Sequence, residues 1–198
     1  MPQDHGERRL EPTDGELVDR AREGDRGAVE QLLERYQRRL LGVLVGMVRN
    51  PEDAREILQE TFIRVFRNLE NFKGDSSFYT WVYRIAMNLA IDYQRRDTRR
   101  PLVEFDEGVG RDEDSVGDGS AHLGVNPFER IRSRELGEKI FEAVESLTPD
   151  HRAVIILREI DGLSYEEISE VLQCSMGTVM SRLHYARKKL QTRLHEML

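Results

Sequence analysis

The sequence predicts an all-α chain made of two small helical domains, an N-terminal helix bundle and a C-terminal four-helix module with a helix-turn-helix, joined by a flexible acidic linker. Three observations lead there. Apolar residues recur at three- and four-residue steps along most of the chain, and strand-like alternation appears nowhere. The regular pattern stops between Pro101 and about Asn126, where Gly, Asp and Ser dominate. Leu163 to Leu190 spells two short helices about a tight turn. The expected divisions are a disordered leader at 1–13, a first domain at 14–100, the linker at 101–133 and a second domain at 134–198.

In chain order, Thr13 and Glu16 form a capping box for a short helix that Gly24 ends. A longer helix from about Arg26 to Val48 carries the stripe Val29, Leu32, Leu33, Tyr36, Leu40, Leu44 and Val48. Asn50 as N-cap and Pro51 at the first helical position open the next helix, which runs to about Leu69 and turns Ala54, Ile57, Leu58, Thr61, Phe62, Val65 and Phe66 inward. After the turn Lys73-Gly74-Asp75, Ser76 or Ser77 caps a helix to about Asp97, whose apolar face is Phe78, Val82, Ile85, Ala86 and Leu89. Three long amphipathic helices make a bundle.

Periodicity resumes near Ile131 with Leu136, Ile140, Val144 and Leu147. Thr148-Pro149 starts a helix through Val154, Leu157 and Ile160, which Gly162 ends. Ser164 and Glu167 box the next, with Ile168, Val171 and Leu172 inward. Gln173-Cys174-Ser175 is the turn, and Ser175 caps a final helix burying Val179, Leu183, Ala186 and Leu190.

That final helix is suited to a DNA groove. Thr178, Ser181 and Tyr185 face outward with Arg182 at the flank, and Arg187, Lys188 and Lys189 follow: side chains able to touch base edges, trailed by cations for phosphates. An amphipathic hairpin with a solvated basic face is the plainer reading. The net charge of −7 does not oppose nucleic acid, because the charge is segregated: Ser175 to Leu198 has five Lys or Arg against one Glu, whereas Leu102 to Glu129 has eight acids against Arg111.

Two more faces stand out. On the helix from Ser77 to Asp97, Trp81, Arg84, Asn88, Asp92 and Arg95 recur along one stripe, with Arg96, Arg99 and Arg100 beyond. An aromatic platform, an amide, a carboxylate and arginines suit unstacked bases beside a backbone; the alternative packs Trp81 into the bundle and leaves a solvated charged face. The helix from Pro51 shows Asp53, Glu56, Gln59, Glu60, Ile63, Arg64 and Arg67 off its buried stripe. Such a mixed face with one stray aliphatic fits protein docking or plain solvent equally.

With 34% charged and 7% aromatic residues, no apolar run approaches the roughly 20 residues of a membrane span. The leader MPQDHGERRLEP is not a signal peptide, so a cytoplasmic protein is expected. Cys174 stands alone and the five histidines lack metal-ligand spacing, so neither metal nor cofactor is expected. Without a triad or phosphate loop, neither is an enzyme.

DAREILQETFIRVFRNLENFKGDSSFYTWVYRIAMNLAIDYQRR resembles region two, and LSYEEISEVLQCSMGTVMSRLHYARKKL region four, of the extracytoplasmic-function sigma factors, small alternative sigma-70 subunits of bacterial RNA polymerase. The resemblance implies that the clamp helices of the polymerase's largest subunit dock on Asp53, Glu56, Gln59, Glu60, Ile63 and Arg64, and that the flap of the second-largest subunit meets region four. It implies that Lys73, Ser77, Trp81, Arg84, Asn88, Asp92, Arg95 and Arg96 read the melted minus-ten strand. Ser175, Thr178, Ser181, Arg182 and Tyr185 would face the minus-thirty-five duplex, with Arg187, Lys188 and Lys189 on phosphates. The linker would thread towards the RNA exit channel, and an anti-sigma factor is an expected partner. Tyr185 stands where relatives commonly carry a basic residue, so its base preference does not transfer. Two rivals remain: a dimeric helix-turn-helix regulator acting without core polymerase, and an interaction module working through its acidic linker.

Overall fold

Capping decides where these helices begin. The computed structural model describes residues 11–97 and 135–197; the leader up to residue 10, the linker expected at 101–133, and Arg99 and Arg100 lie outside the described residues. The Glu16 amide donates to Thr13 Oγ1 (3.3 Å) and the Thr13 amide to Glu16 Oε2 (2.7 Å), closing the box that starts α1 (Asp14–Arg22). Gly24 then turns the chain at φ +91°. Asp25, which the spacing did not single out, accepts from the Gly27 and Ala28 amides to cap α2 (Arg26–Val48). Asn50 and Pro51 open α3 (Pro51–Arg67). A 3-10 turn at Leu69–Asn71 leads to α4 (Phe78–Asp97), where Ser77 Oγ accepts from the Thr80 amide at 3.0 Å.

These elements form the N-terminal bundle, with α1 on α2 and with α2, α3 and α4 packed together. Leu17, Leu32, Leu44, Leu58, Val65 and Val82 lie in its core.

The C-terminal module consists of α5 (Glu135–Glu145), α6 (Pro149–Ile155) continued by a π turn at Ile156–Ile160, α7 (Tyr165–Leu172) and α8 (Met176–Met197). Thr148 precedes Pro149 as expected, but its hydroxyl meets His151 Nδ1 (2.7 Å) instead of a helix amide. The Ser164–Glu167 box starts α7. Gln173 takes the left-handed conformation at φ 50°, and Ser169 Oγ donates to the Cys174 carbonyl (2.6 Å), giving that turn carbonyl a partner. Ser175 Oγ accepts from the Thr178 amide at 3.1 Å, and Val179, Leu183 and Ala186 are buried as the spacing predicts. The chain is all-α among the described residues, as expected.

The two units do not stand apart. Helix α4 packs on α6 and α7, and α2 packs on α6 and its π turn. Tyr83, Met87 and Gln94, which lie off the apolar face expected for α4, are buried as well. Arg152 of α6 shows the character of the seam. It is buried, and it donates to the Met47 carbonyl at 2.7 Å and to the Glu145 and Leu147 carbonyls; Gln94 Nε2 reaches the same Met47 oxygen. The last carbonyls of a helix lack partners within it and carry its negative dipole end, so a cation from the other domain satisfies both needs of α2. Burial holds the pKa of Arg152 below its ordinary value, against the pull of Glu145.

Candidate nucleic-acid interface

The stripe on α4 divides into two kinds of residue. Lys73, Ser77, Asn88, Asp92 and Arg96 are exposed. Trp81 is half-buried in a ring cluster, its centroid 5.0 Å from that of Phe72 and 5.8 Å from that of Phe78, so the indole is both packed and partly presented. Arg84 and Arg95 point to the other domain: Arg84 Nε donates to the Glu170 carbonyl of α7 (3.2 Å), and Arg95 Nη2 lies 3.2 Å from Asp150 Oδ2 of α6.

Beside this stripe lies a polar knot that sequence spacing did not reveal. Asp161, at the end of the π turn, has a side chain only 4% exposed. It accepts from Arg39 Nε (2.6 Å), Tyr79 Oη (2.5 Å) and Tyr83 Oη (3.4 Å), all from the N-terminal bundle; Arg39 Nη2 also donates to its carbonyl (2.8 Å). The Tyr79 and Tyr83 rings stack with centroids 4.1 Å apart, and the Arg39 guanidinium sits 4.9 Å from the Tyr79 ring centre. Burial above all, with the nearby Asp161 charge adding to it, pushes both tyrosine hydroxyls well above the ordinary phenol range, so they stay protonated donors. Burial works most strongly against the charge on Arg39, but the hydrogen bond and charge of Asp161, with smaller contributions from Tyr79 and Tyr83, together outweigh it and raise the pKa.

On α8 the polar residues near the turn are largely engaged. Ser175 caps the helix and its hydroxyl meets that of Thr178 at 2.9 Å, while Ser181 Oγ donates to the Thr178 carbonyl (3.0 Å). Arg182 is only 27% exposed and turns to Asp150 (3.4 Å), not straight out from the helix. Arg187 pairs with Glu159 at 2.6 Å, and that hydrogen bond raises its pKa. Lys189 donates to the Ser146 carbonyl, Lys188 is exposed, and Tyr185 is 64% exposed. Three residues that sequence reasoning passed over share the outer face: Met176, Met180 (48% exposed) and His184, whose ring meets Tyr185 edge-on at 5.6 Å. Their signal was available, since they recur at four-residue steps along the flank between the buried Val179, Leu183 and Ala186 stripe and the outward Ser181.

The α3 face holds Glu56 and Gln59 exposed, Asp53 and Glu60 half-exposed, and Ile63 at 37%. Arg64 pairs with Glu60 at 2.7 Å, one helical turn away.

The family pattern described as Sigma-70 region 2 matches residues 32–100, and that described as Sigma-70, region 4 matches residues 137–190. The ECF RNA polymerase sigma-E factor of Haemophilus influenzae is 37% identical over 187 residues, 94% of this chain and 97% of that relative. The Escherichia coli K12 protein of the same description is 38% identical over 186 residues, covering 94% and 96%. Among solved structures, CnrH in complex with the cytosolic domain of CnrY superposes with a TM-score of 0.66 at 24% identity over 91% of this chain and 96% of that one. The sigma factor RpoE of Bartonella quintana, solved with the anti-sigma factor NepR, gives 0.59 at 23% over 84% and 96%. The α4 stripe falls within the region 2 match and the turn with most of α8 within the region 4 match, so the chain belongs to the extracytoplasmic-function sigma factors of the sigma-70 family.

Proposed function

We propose that this protein is an alternative sigma factor that binds core RNA polymerase and directs promoter-specific transcription initiation. It reads a minus-thirty-five duplex with α8 and the melted minus-ten strand with α4. The observation that carries the reading is the pairing, in one chain, of two surfaces with different chemistry: an aromatic and arginine stripe suited to unstacked bases, and a helix-turn-helix suited to a groove. The protein's part is binding and strand capture, and the chemistry of RNA synthesis belongs to the polymerase. It acts in the cytoplasm with that polymerase; no described helix is long and apolar enough to cross a membrane.

The α3 face from Asp53 to Arg64 offers acids, an amide and one exposed aliphatic to the clamp helices of the largest subunit, and the C-terminal module meets the flap of the second-largest. On α4, stacking one extruded base on Trp81 returns about 1–3 kcal/mol, comparable to the few kcal/mol needed to unstack a step. A few such contacts decide whether a transient bubble persists.

The arrangement described above is the promoter-free form. The two elements lie roughly 25 base pairs apart, which at about 3.4 Å per pair separates them by about 85 Å, whereas here α4 touches α6 and α7. The roughly 37 residues between the described units reach about 120 Å fully extended, enough for the domains to part. Arg84 loses its bond to the Glu170 carbonyl, and Arg95 its pair with Asp150, only when they do. An anti-sigma factor binding this closed form would hold it by mass action.

Run-off transcription with purified core polymerase and a promoter library tests the function. The reading predicts promoter-specific transcripts that depend on added protein. Binding to a palindromic duplex as a dimer, with no effect on polymerase, would favour an ordinary helix-turn-helix regulator instead.

A further inference from the structure

We infer that Met180, flanked by Met176 and His184, is a specificity-determining residue of α8 and reads thymine methyl groups in the minus-thirty-five duplex. The inference rests on the sigma reading above and names what the duplex-reading helix recognises. From Met176 to Tyr185 the helix contains one cation, Arg182, and no Asn, Gln, Lys, Asp or Glu. The strongest direct readouts in a major groove are the fork of Arg or Lys on guanine and the amide of Asn or Gln on adenine. Amides do not occur on this stretch, and the single guanidinium is held by Asp150, a residue of the same module, so opening of the two domains does not free it.

The flank between the buried stripe and Ser181 is apolar and polarizable. Met176 and Met180 stand one turn apart, both exposed, with His184 one turn further and the open hollow beside Met180 and His184 bordered by Tyr165 of α7. The two thioether side chains leave 39% and 48% of their surface to water in the free protein, adjacent to each other on one flank of the helix. A groove lined with C5-methyl groups covers them, and the unbranched thioether adapts to a methyl without needing a fixed rotamer. Lys188 on the following turn is exposed and suited to the adjoining phosphates, which orient the helix without reading sequence.

The test uses the full chain in holoenzyme with core polymerase. A promoter library randomised over the minus-thirty-five element is selected first, and each selected thymine is then replaced by deoxyuridine, which removes only the methyl. Wild-type holoenzyme is expected to lose about fourfold in promoter affinity at one or two positions, the worth of one buried methyl group. Met180→Ala is expected to lose a similar factor on thymine and to be indifferent to deoxyuridine at that position, while Met180→Arg shifts the selected pair towards G·C. Equal deoxyuridine losses in wild type and Met180→Ala, or no loss in either, would overturn the inference while leaving a working sigma factor. No promoter-specific transcript from any template would overturn the sigma reading and this inference with it.

Discussion

The two DNA-reading helices differ in what they do with their polar side chains. Helix α4 turns Arg84 and Arg95 into its own C-terminal module, and the neighbouring Tyr79 and Tyr83 grip Asp161. Helix α8 ties Arg182 and Arg187 to acids of its own module and leaves Met176, Met180 and Tyr185 open. The single-strand reader is thus covered by a neighbour that can leave, whereas the duplex reader keeps the same outer face whether the domains touch or part. Charged pairs and hydrogen bonds to carbonyls accompany buried apolar side chains in the covering seam, where the two units share one hydrophobic cluster. The difference teaches that access to the minus-ten strand, and not to the minus-thirty-five duplex, is the step this fold can regulate.

The largest effect should come from breaking the knot at Asp161. Asp161→Ala is expected to weaken the domain contact by about 2–3 kcal/mol, the range for hydrogen bonds to a charged group. It should fall short of the roughly 3–5 kcal/mol of a fully buried pair because Arg39 is half-exposed and regains water. Small-angle scattering should report an expanded particle, and affinity for single-stranded minus-ten DNA should rise at least tenfold; an unchanged radius would show that the knot does not hold the closed form. The tyrosines set the pH behaviour of the same contact. Their hydroxyls titrate above the ordinary value of 10, so their contribution is complete below about pH 10 and is lost only as pH rises through the elevated values. The radius should therefore stay flat between about pH 6 and pH 9 as far as these groups are concerned.

Trp81→Ala should come next, costing about 1–3 kcal/mol on a preformed bubble and nothing on binding to the minus-thirty-five duplex. Because the indole also packs on Phe72 and Phe78, Trp81→Phe should retain the bundle's melting temperature and part of the bubble affinity. If both variants bound the bubble as well as the parent, Trp81 would be only a core residue. Lys188→Ala should act on the other side of the comparison, lowering the salt dependence of duplex binding by about one unit of slope and leaving sequence preference alone. Arg49→Ala, which removes an exposed pair with Glu145 across the seam, should change the domain equilibrium by less than about 1 kcal/mol. A loss as large as that of Asp161→Ala would move the centre of the seam to this end.

Much of the fold was legible because its signals are local. The Thr13–Glu16 and Ser164–Glu167 boxes, Asn50-Pro51, and the Val179, Leu183 and Ala186 face need only neighbours in sequence. Asp25 escaped because Gly24 before it reads first as a helix end, though the same residue pair also starts the next helix. Tyr83, Met87 and Gln94 escaped for a different reason: what buries or satisfies them is contributed by chain far away in sequence, which no periodicity within α4 reports. The same limit hid Asp161, a lone acid before a glycine until Arg39, Tyr79 and Tyr83 are brought to it over some eighty residues or more. On α8 the polar Ser181 and Arg182 carry a readable signal for DNA, whereas Met180, an apolar residue at the edge of the buried stripe, reads in the sequence as part of the core.

The most direct test of the account is the distance between the domains with and without promoter. One fluorophore at Gln31→Cys on α2, an exposed position outside the polymerase-docking face, and another at Gln191→Cys on α8, in a chain carrying Cys174→Ser, report it by energy transfer. Two touching domains of this size keep the labels within about 40 Å in the free protein, and the open promoter complex with core polymerase should stretch them towards about 85 Å. A long distance already present in the free protein, or a short one persisting in the promoter complex, would contradict the account.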